Sequence, residues 1–223
     1  VARTVPAGLI SDPERAAATA PALTQRDPAA TGQDWQDESA ALRRLLLESV
    51  GADPEAERPV AGRTGAEAAV ALRRAYRRQI TAIALQDLGS ADPTLIEPSV
   101  SAWLADLAGA AIDTALAVAR AAAVERHGEA AETLDLAVIG MGKCGARELN
   151  YISDVDVVFV HAAGEGQDET TAAVVAAEMA GGIGKVVYGA APEPNLWEVD
   201  ANLRPEGRDG ALSRTVDSHA QYY

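Results

Sequence analysis

Residues 136–160, LAVIGMGKCGARELNYISDVDVVFV, constrain the fold more than any other stretch. Two apolar runs are joined here through three glycines and an Asp-x-Asp pair. The first run, Leu136 to Ile139, predicts a buried strand. Gly140, Gly142 and Gly145 then interrupt it, and Ala146–Asn150 predicts a short helical piece. Ser153-Asp154-Val155-Asp156 opens a second strand that runs to Val160. Side chains alternate along a strand, so Asp154 and Asp156 share one face while Val155, Val157 and Phe159 share the other. Two carboxylates this close repel unless a cation lies between them. Hard oxygen ligands suit Mg²⁺, which keeps some waters and takes substrate phosphates as further ligands. A solvent-facing acidic strand start is the competing reading.

The glycines fit more than one pattern. Gly140-Met-Gly142-Lys-Cys-Gly145 matches the G-x-G-x-x-G of dinucleotide-binding folds. That fold needs a crossover helix and an acidic residue about 20 positions further on. A parallel crossover takes about a dozen residues or more, and the link here is marginal for one. A Walker loop fits less well, because Lys143 is followed by Cys144 rather than Ser or Thr. A Gly-rich turn at a helix start remains, and such turns bind phosphate through free backbone N–H groups.

A second polar–apolar run, residues 196–204 (LWEVDANLR), predicts another strand. Asp200, Asn202 and Arg204 fall on one face, with Val199, Ala201 and Leu203 on the other. Asp200 is then a third acid beside Asp154 and Asp156, and phosphoryl-type transfer needs mainly positioning and charge neutralisation by such a cage. Arg204, Ser153 and the turn containing Gly142, Lys143 and Gly145 are candidate phosphate contacts. Lys143 reads equally well as a surface lysine. His127, His161 and His219 are scattered, and a Cys144 thiol at a helix start invites a lowered pKa, although a space-filling role competes.

Around this core the chain divides into residues 1–62, 63–130 and 131–223. Residues 1–34 read as loop with at most a short helix near Glu14–Ala20, 35–50 as an amphipathic helix and 51–63 as a linker. Residues 65–88 predict a helix with Thr64 and Glu67 as a capping box. Its Arg73, Arg74, Arg77 and Arg78 form either a solvated face or a contact with phosphate or an acidic partner. Residues 99–127 predict a helix capped by Ser99 or Ser101, with Trp103 as a core anchor. Residues 169–188 predict a helix loosened or broken by Gly181, Gly182 and Gly184, and Leu212–Tyr223 starts a last one, capped by Ser213 or Thr215. The expected class is α+β, with an N-terminal helical region and then a small mixed sheet flanked by helices. The net charge of −14 argues against a nucleic-acid partner. One cysteine excludes an intrachain disulfide and a multi-Cys zinc site. Nothing reads as a signal peptide or membrane span, so a cytoplasmic location is expected.

Strand, Gly-rich turn, short helix and Asp-x-Asp, in that order, resemble the nucleotidyltransferase superfamily that includes DNA polymerase β. The run from Gly142 to Asp156 is similar to the glutamine synthetase adenylyltransferase family, bifunctional enzymes with two such domains in one chain. The run from Val199 to Leu212 and the tail Ser218–Tyr223 carry the same resemblance. It implies metal, commonly two Mg²⁺, at Asp154, Asp156 and Asp200. It further implies ATP, ADP and phosphate as substrates, and glutamine synthetase and a PII signalling protein as partners. Leu149-Asn150-Tyr151 looks like the N-terminal, adenylyl-removing copy, since Gly more often stands at Asn150 in the other. Ala146 and Asn202 depart from the family pattern, and the chain stops before a later motif of the family's core, so a C-terminally truncated sheet is expected. The deadenylylating half, the adenylylating half, a non-catalytic interaction module and a Rossmann-type binder are the competing readings.

Overall fold

The computed structural model describes residues 33–223. The loop expected before them lies outside that range, except for Gln33 and Asp34, which open the first helix, α1 (Gln33–Ser49). Leu42, Leu46 and Leu47 are its buried positions, at helical spacing. Helix α2 spans Gly65–Gly89. Thr64 stands at its N-cap but makes no capping bond, and Glu67 pairs with Arg63 at 2.8 Å, so the expected capping box does not form.

Helix α3, Pro93–His127, is the axis of the helical layer and packs against both. It begins before either predicted serine cap. Pro93 sits in its first turn, where a missing N–H costs nothing, and Asp92 Oδ1 accepts the Thr94 N–H at 3.0 Å. Trp103 is fully buried, and its Nε1 donates to Glu38 Oε2 at 3.0 Å. The helix stops at Gly128, whose φ of 54° favours glycine. A one-turn helix, α4 (Glu129–Glu132), follows.

The sheet comes next. Strand β1 (Asp135–Gly140) pairs antiparallel with β2 (Val155–Ala162), Gly140 opposite Val157. An antiparallel pair cannot be a βαβ crossover, so the dinucleotide-fold reading is overturned. β1 is also not a buried strand: it lies at the sheet edge, with Leu136 inward and Ala137 and Ile139 exposed. The helical turn between the strands, α5, occupies Gly142–Gly145 rather than 146–150. Arg147, at φ 61°, reverses the chain after it, and its guanidinium reaches Asp106 Oδ2 at 2.6 Å. β2 pairs parallel with β3 (Val199–Asp200) and with β4 (Ser213–Arg214).

Helix α6, Glu169–Tyr188, is continuous through its glycines, contrary to expectation. A Cβ at Gly182 would stand 2.7 Å from Ala119 Cβ, so this glycine lets α6 close onto α3. That packing offsets the propensity lost at the glycines. Gly182→Val is therefore expected to destabilise by about 2 kcal/mol through overpacking. Gly184, with nothing within 4 Å of its Cβ position, should accept alanine with a gain of about 0.5 kcal/mol. Thermal melts of the two variants check both, and equal midpoints would refute the close crossing. Both α3 and α6 are long and apolar enough to cross a bilayer, but α3 is sheathed by α1, α2 and α6, and α6 packs on α3 and β2. Their apolar faces serve the core.

The arginine cluster divides. Arg73 is buried, Arg74 and Arg77 both pair with Glu193, and Arg78 is exposed. Arg73, Arg74 and Arg77 are bound within the chain, so the cluster is not a uniformly solvated face. The last helix, α7 (Val216–Tyr222), is capped by Thr215, whose hydroxyl accepts the Ser218 N–H at 3.2 Å. Ser213 lies instead in β4, its hydroxyl 2.8 Å from His161 Nδ1.

Candidate metal centre

The glycine turn and the start of β2 fold against each other. The Met141 N–H donates to the Asp156 carbonyl at 2.8 Å, tying α5 to β2. Gly142 has a φ of 52°, and a Cβ there would lie 2.6 Å from Asp156 Oδ2. Only glycine lets the backbone take this shape this close to the carboxylate. Gly145 is constrained as tightly, since its Cβ would meet the Gly140 carbonyl oxygen at 2.4 Å.

Asp154 lies one residue before β2 and is exposed, and Asp156 is half-buried at its second position. Parallel pairing sets Asp200 opposite Asp156. Each of the three offers a carboxylate oxygen, and these atoms all lie within 4.8 Å of one another. The expected convergence of the three acids is present. The strand carrying Asp200 is much shorter than predicted, however. Asp200 Oδ1 accepts the Asn202 N–H at 2.7 Å, an Asx turn that ends β3 at once. Asn202 and Arg204 therefore leave the strand face. Arg204 donates to the carbonyls of Ala201 (2.7 Å), Gly210 (3.2 Å) and Arg208 (3.2 Å), so its guanidinium staples the loop after β3. Ser153 Oγ lies 3.5 Å from Asp154 Oδ1, at the limit of a hydrogen bond. Lys143 is exposed on α5 and acts favourably on the charged form of Asp156.

Burial, then Asp154, then Asp200 push the Asp156 carboxyl above the ordinary carboxylate range, with Lys143 opposing them. A divalent cation would relieve the last two of those causes. The donor set, three carboxylates with hard oxygens at one point, fits Mg²⁺. The Cys144 thiol is pushed up, not down, by burial, then by Asp106 and Asp156, so the helix-start turn does not activate it.

A pH dependence follows. Asp156 holds its proton more tightly folded than unfolded, so the metal-free chain gains stability below the unfolded carboxylate pKa. That gain is lost as pH rises through the raised folded value. With a chelator present, the thermal midpoint should carry this loss across the acid range, from about pH 4 upward. Asp156→Asn should remove it, and Mg²⁺ should reverse it. Melts over that range with and without Mg²⁺ check the sign.

Two features had little sequence signal. The clash that reserves Gly142 for glycine comes from Asp156, fourteen residues away. Tyr151 donates to Asp87 Oδ2 at 2.9 Å across 64 positions. Sequence places Gly142 in a glycine-rich turn and Tyr151 just before the Asp-x-Asp strand, but the contacts each makes come from residues too far along the chain to be read there.

A small mixed sheet, flanked by helices, with a glycine turn beside its first Asp-x-Asp strand defines the class: a nucleotidyltransferase-type α+β domain. The family profile of glutamate-ammonia ligase adenylyltransferase (GlnE) matches residues 12–223, and the chain belongs to that family. Among curated relatives, a bifunctional glutamine synthetase adenylyltransferase/adenylyl-removing enzyme of Bifidobacterium longum strain DJO10A is 46% identical over 190 residues, 82% of this chain. The enzymes of the same name from Leifsonia xyli and Cutibacterium acnes are 47% identical over 195 residues (83% of this chain) and 43% over 199 residues (89%). The chain spans only 17% of the first of these relatives and 19% of each of the other two.

Proposed function

We propose that this chain is the nucleotidyltransferase core of the deadenylylating half of a glutamine synthetase adenylyltransferase, acting in the cytoplasm. The observation that carries the reading is the meeting of Asp154, Asp156 and Asp200 within 4.8 Å. The direction of reaction rests on the Leu149-Asn150-Tyr151 run before Ser153, which resembles the adenylyl-removing copy.

In this reaction an oxygen of inorganic phosphate attacks the adenylyl phosphorus on a tyrosine of glutamine synthetase. The bond from phosphorus to the tyrosine oxygen breaks, the tyrosine recovers a proton, and ADP leaves. Mg²⁺ held by the three aspartates would supply charge neutralisation for the phosphate oxygens. The chain's own residues do the positioning. The α5 turn, with Gly142 and Gly145, offers backbone N–H groups beside the acids, and the first amides of a helical turn lack intrahelical partners. Lys143 and Ser153 are further phosphate contacts in this reading, whereas Arg204 acts through the loop it staples. A PII signalling protein is a proposed regulatory partner.

The test is ADP release from adenylylated glutamine synthetase, with phosphate and Mg²⁺, by this chain. Release that is lost in Asp154→Asn supports the assignment. AMP transfer from ATP without ADP release would assign the adenylylating half instead. Silence in both directions with retained binding of glutamine synthetase would make the chain an interaction module.

A further inference from the structure

Helix α2 touches both segments that deliver the carboxylates. In its middle, Arg77 donates to Glu193 Oε1 (2.8 Å) and to the carbonyls of Pro194 (2.6 Å) and Asn195 (3.0 Å). The Tyr76 hydroxyl accepts from Trp197 Nε1 at 3.0 Å. The approach to Asp200 is thus braced along its length. Near the C-terminal end of α2, Asp87 accepts the Tyr151 hydroxyl at 2.9 Å, three residues before Asp154.

The loop between α5 and β2 needs such a brace. Its near end is fixed by the Arg147–Asp106 pair and by the buried side chain of Leu149. Beyond Leu149 it runs without helix or strand to Val155, and Ile152 is 94% exposed. Of residues 150–153, Tyr151 reaches across to another element. Asp87 is also poorly placed for the helix itself. A carboxylate in a last turn faces the negative end of the macrodipole, so helix stability does not account for it. At 2.9 Å on a partly exposed surface the bond is of ordinary length, and its charged acceptor strengthens it relative to a neutral one.

We propose that Tyr151 and Asp87 are positioning residues of the metal centre: their hydrogen bond holds the loop that presents Asp154, and so sets the cation affinity of the three acids. The inference rests on the reading of those acids as cation ligands. A loop ordered before the cation arrives does not subtract its ordering entropy from binding.

The experiment is calorimetric titration of this chain with Mg²⁺ and with Mn²⁺, without nucleotide. Tyr151→Phe and Asp87→Ala should each weaken binding by about tenfold, the scale of outer-shell support. Asp87→Asn keeps an acceptor and should restore near-wild-type affinity. The double variant Tyr151→Phe/Asp87→Ala should be no weaker than either single one, as expected for one shared bond. In chelator, any fall in the thermal midpoint of Asp87→Ala should be matched by Tyr151→Phe, since both lose the same bond, whereas a merely structural role of Asp87 within α2 would lower it in Asp87→Ala alone. Unchanged cation affinity in Tyr151→Phe, with binding still lost in Asp154→Asn, would overturn this proposal alone. No cation binding by the wild type would overturn it together with the site reading.

Discussion

Asparagine at both Asp154 and Asp156 is expected to abolish cation binding and, under the proposed function, to lower ADP release from adenylylated glutamine synthetase by at least about a thousandfold. The magnitude follows from the several kcal/mol that a bound cation contributes to phosphoryl-type transfer, since each 1.4 kcal/mol is about tenfold in rate. The pair forms two-thirds of the donor set, and removing it strips two of the three negative charges that offset the cation's partial dehydration. Asparagine preserves the shape, so loss of folding is not the expected cause. Indeed the metal-free double variant should melt higher than wild type near neutral pH. Repulsion from Asp154 and Asp200 contributes to the raised Asp156 pKa, and the substitution removes it. Activity and metal-free stability should therefore move in opposite directions. Rate measurements, cation titration and melts in chelator form the check. A double variant that binds Mg²⁺ like wild type would remove the acids from the mechanism.

The part of this site that sequence makes legible is the part governed by strand alternation. Val155, Val157 and Phe159 are buried as the alternation of β2 requires, and this forces Asp156 outward. The two polar–apolar runs also announce their own pairing, because each places an acid beside apolar residues suited to one core. Legibility stops where a distant or local polar contact overrides the pattern. Residues 196–204 alternate well enough for a nine-residue strand, yet the Asp200 side chain captures the Asn202 N–H and turns the chain after two. Gly182 lowers helix propensity, yet α6 stays whole because Ala119 fills the space against it. No window of sequence contains both of those residues. The edge position of β1 is hidden for the same reason: four apolar residues in a row look buried until the sheet order is known. Ionic pairing is the least legible of all. Arg73, Arg74 and Arg77 look alike in sequence, yet one is buried and one exposed, and the partners that show which is which lie more than a hundred residues away.

Arg73 carries the largest expected effect on stability. Its side chain is fully buried, and its guanidinium donates to three carbonyls: Val186 (from Nε at 3.0 Å and Nη2 at 2.8 Å), Gly189 (2.7 Å) and Glu193 (2.8 Å). Val186 lies in the last turn of α6, Gly189 just beyond it. Final carbonyls of a helix have no partner within it, and a cation there meets the negative end of the macrodipole. Burial lowers the Arg73 pKa, as does Arg77, while Glu193 opposes them; a guanidinium stays charged nonetheless. Methionine at this position would fill much of the volume but leave three carbonyls without donors. The bonds to Val186 are buried and those to Gly189 and Glu193 partly so; at about 1–3 kcal/mol for each buried unsatisfied group, the loss should be about 3 kcal/mol. For a chain of this size that lowers the thermal midpoint by roughly 6–12 °C. Lysine should recover only part of it, because a single ammonium cannot span carbonyls that a planar fork bridges. Arg78→Met, on the exposed side of the same helix, should stay within about 0.5 kcal/mol of wild type. The damage should also reach the candidate metal centre, since the segment from Gly189 through Glu193 leads to Trp197 and Asp200. Denaturant titrations of the Met, Lys and Arg78 variants, read beside their cation affinities, separate the cases. If Arg73→Met is no less stable than Arg78→Met, the guanidinium is not what holds the end of α6.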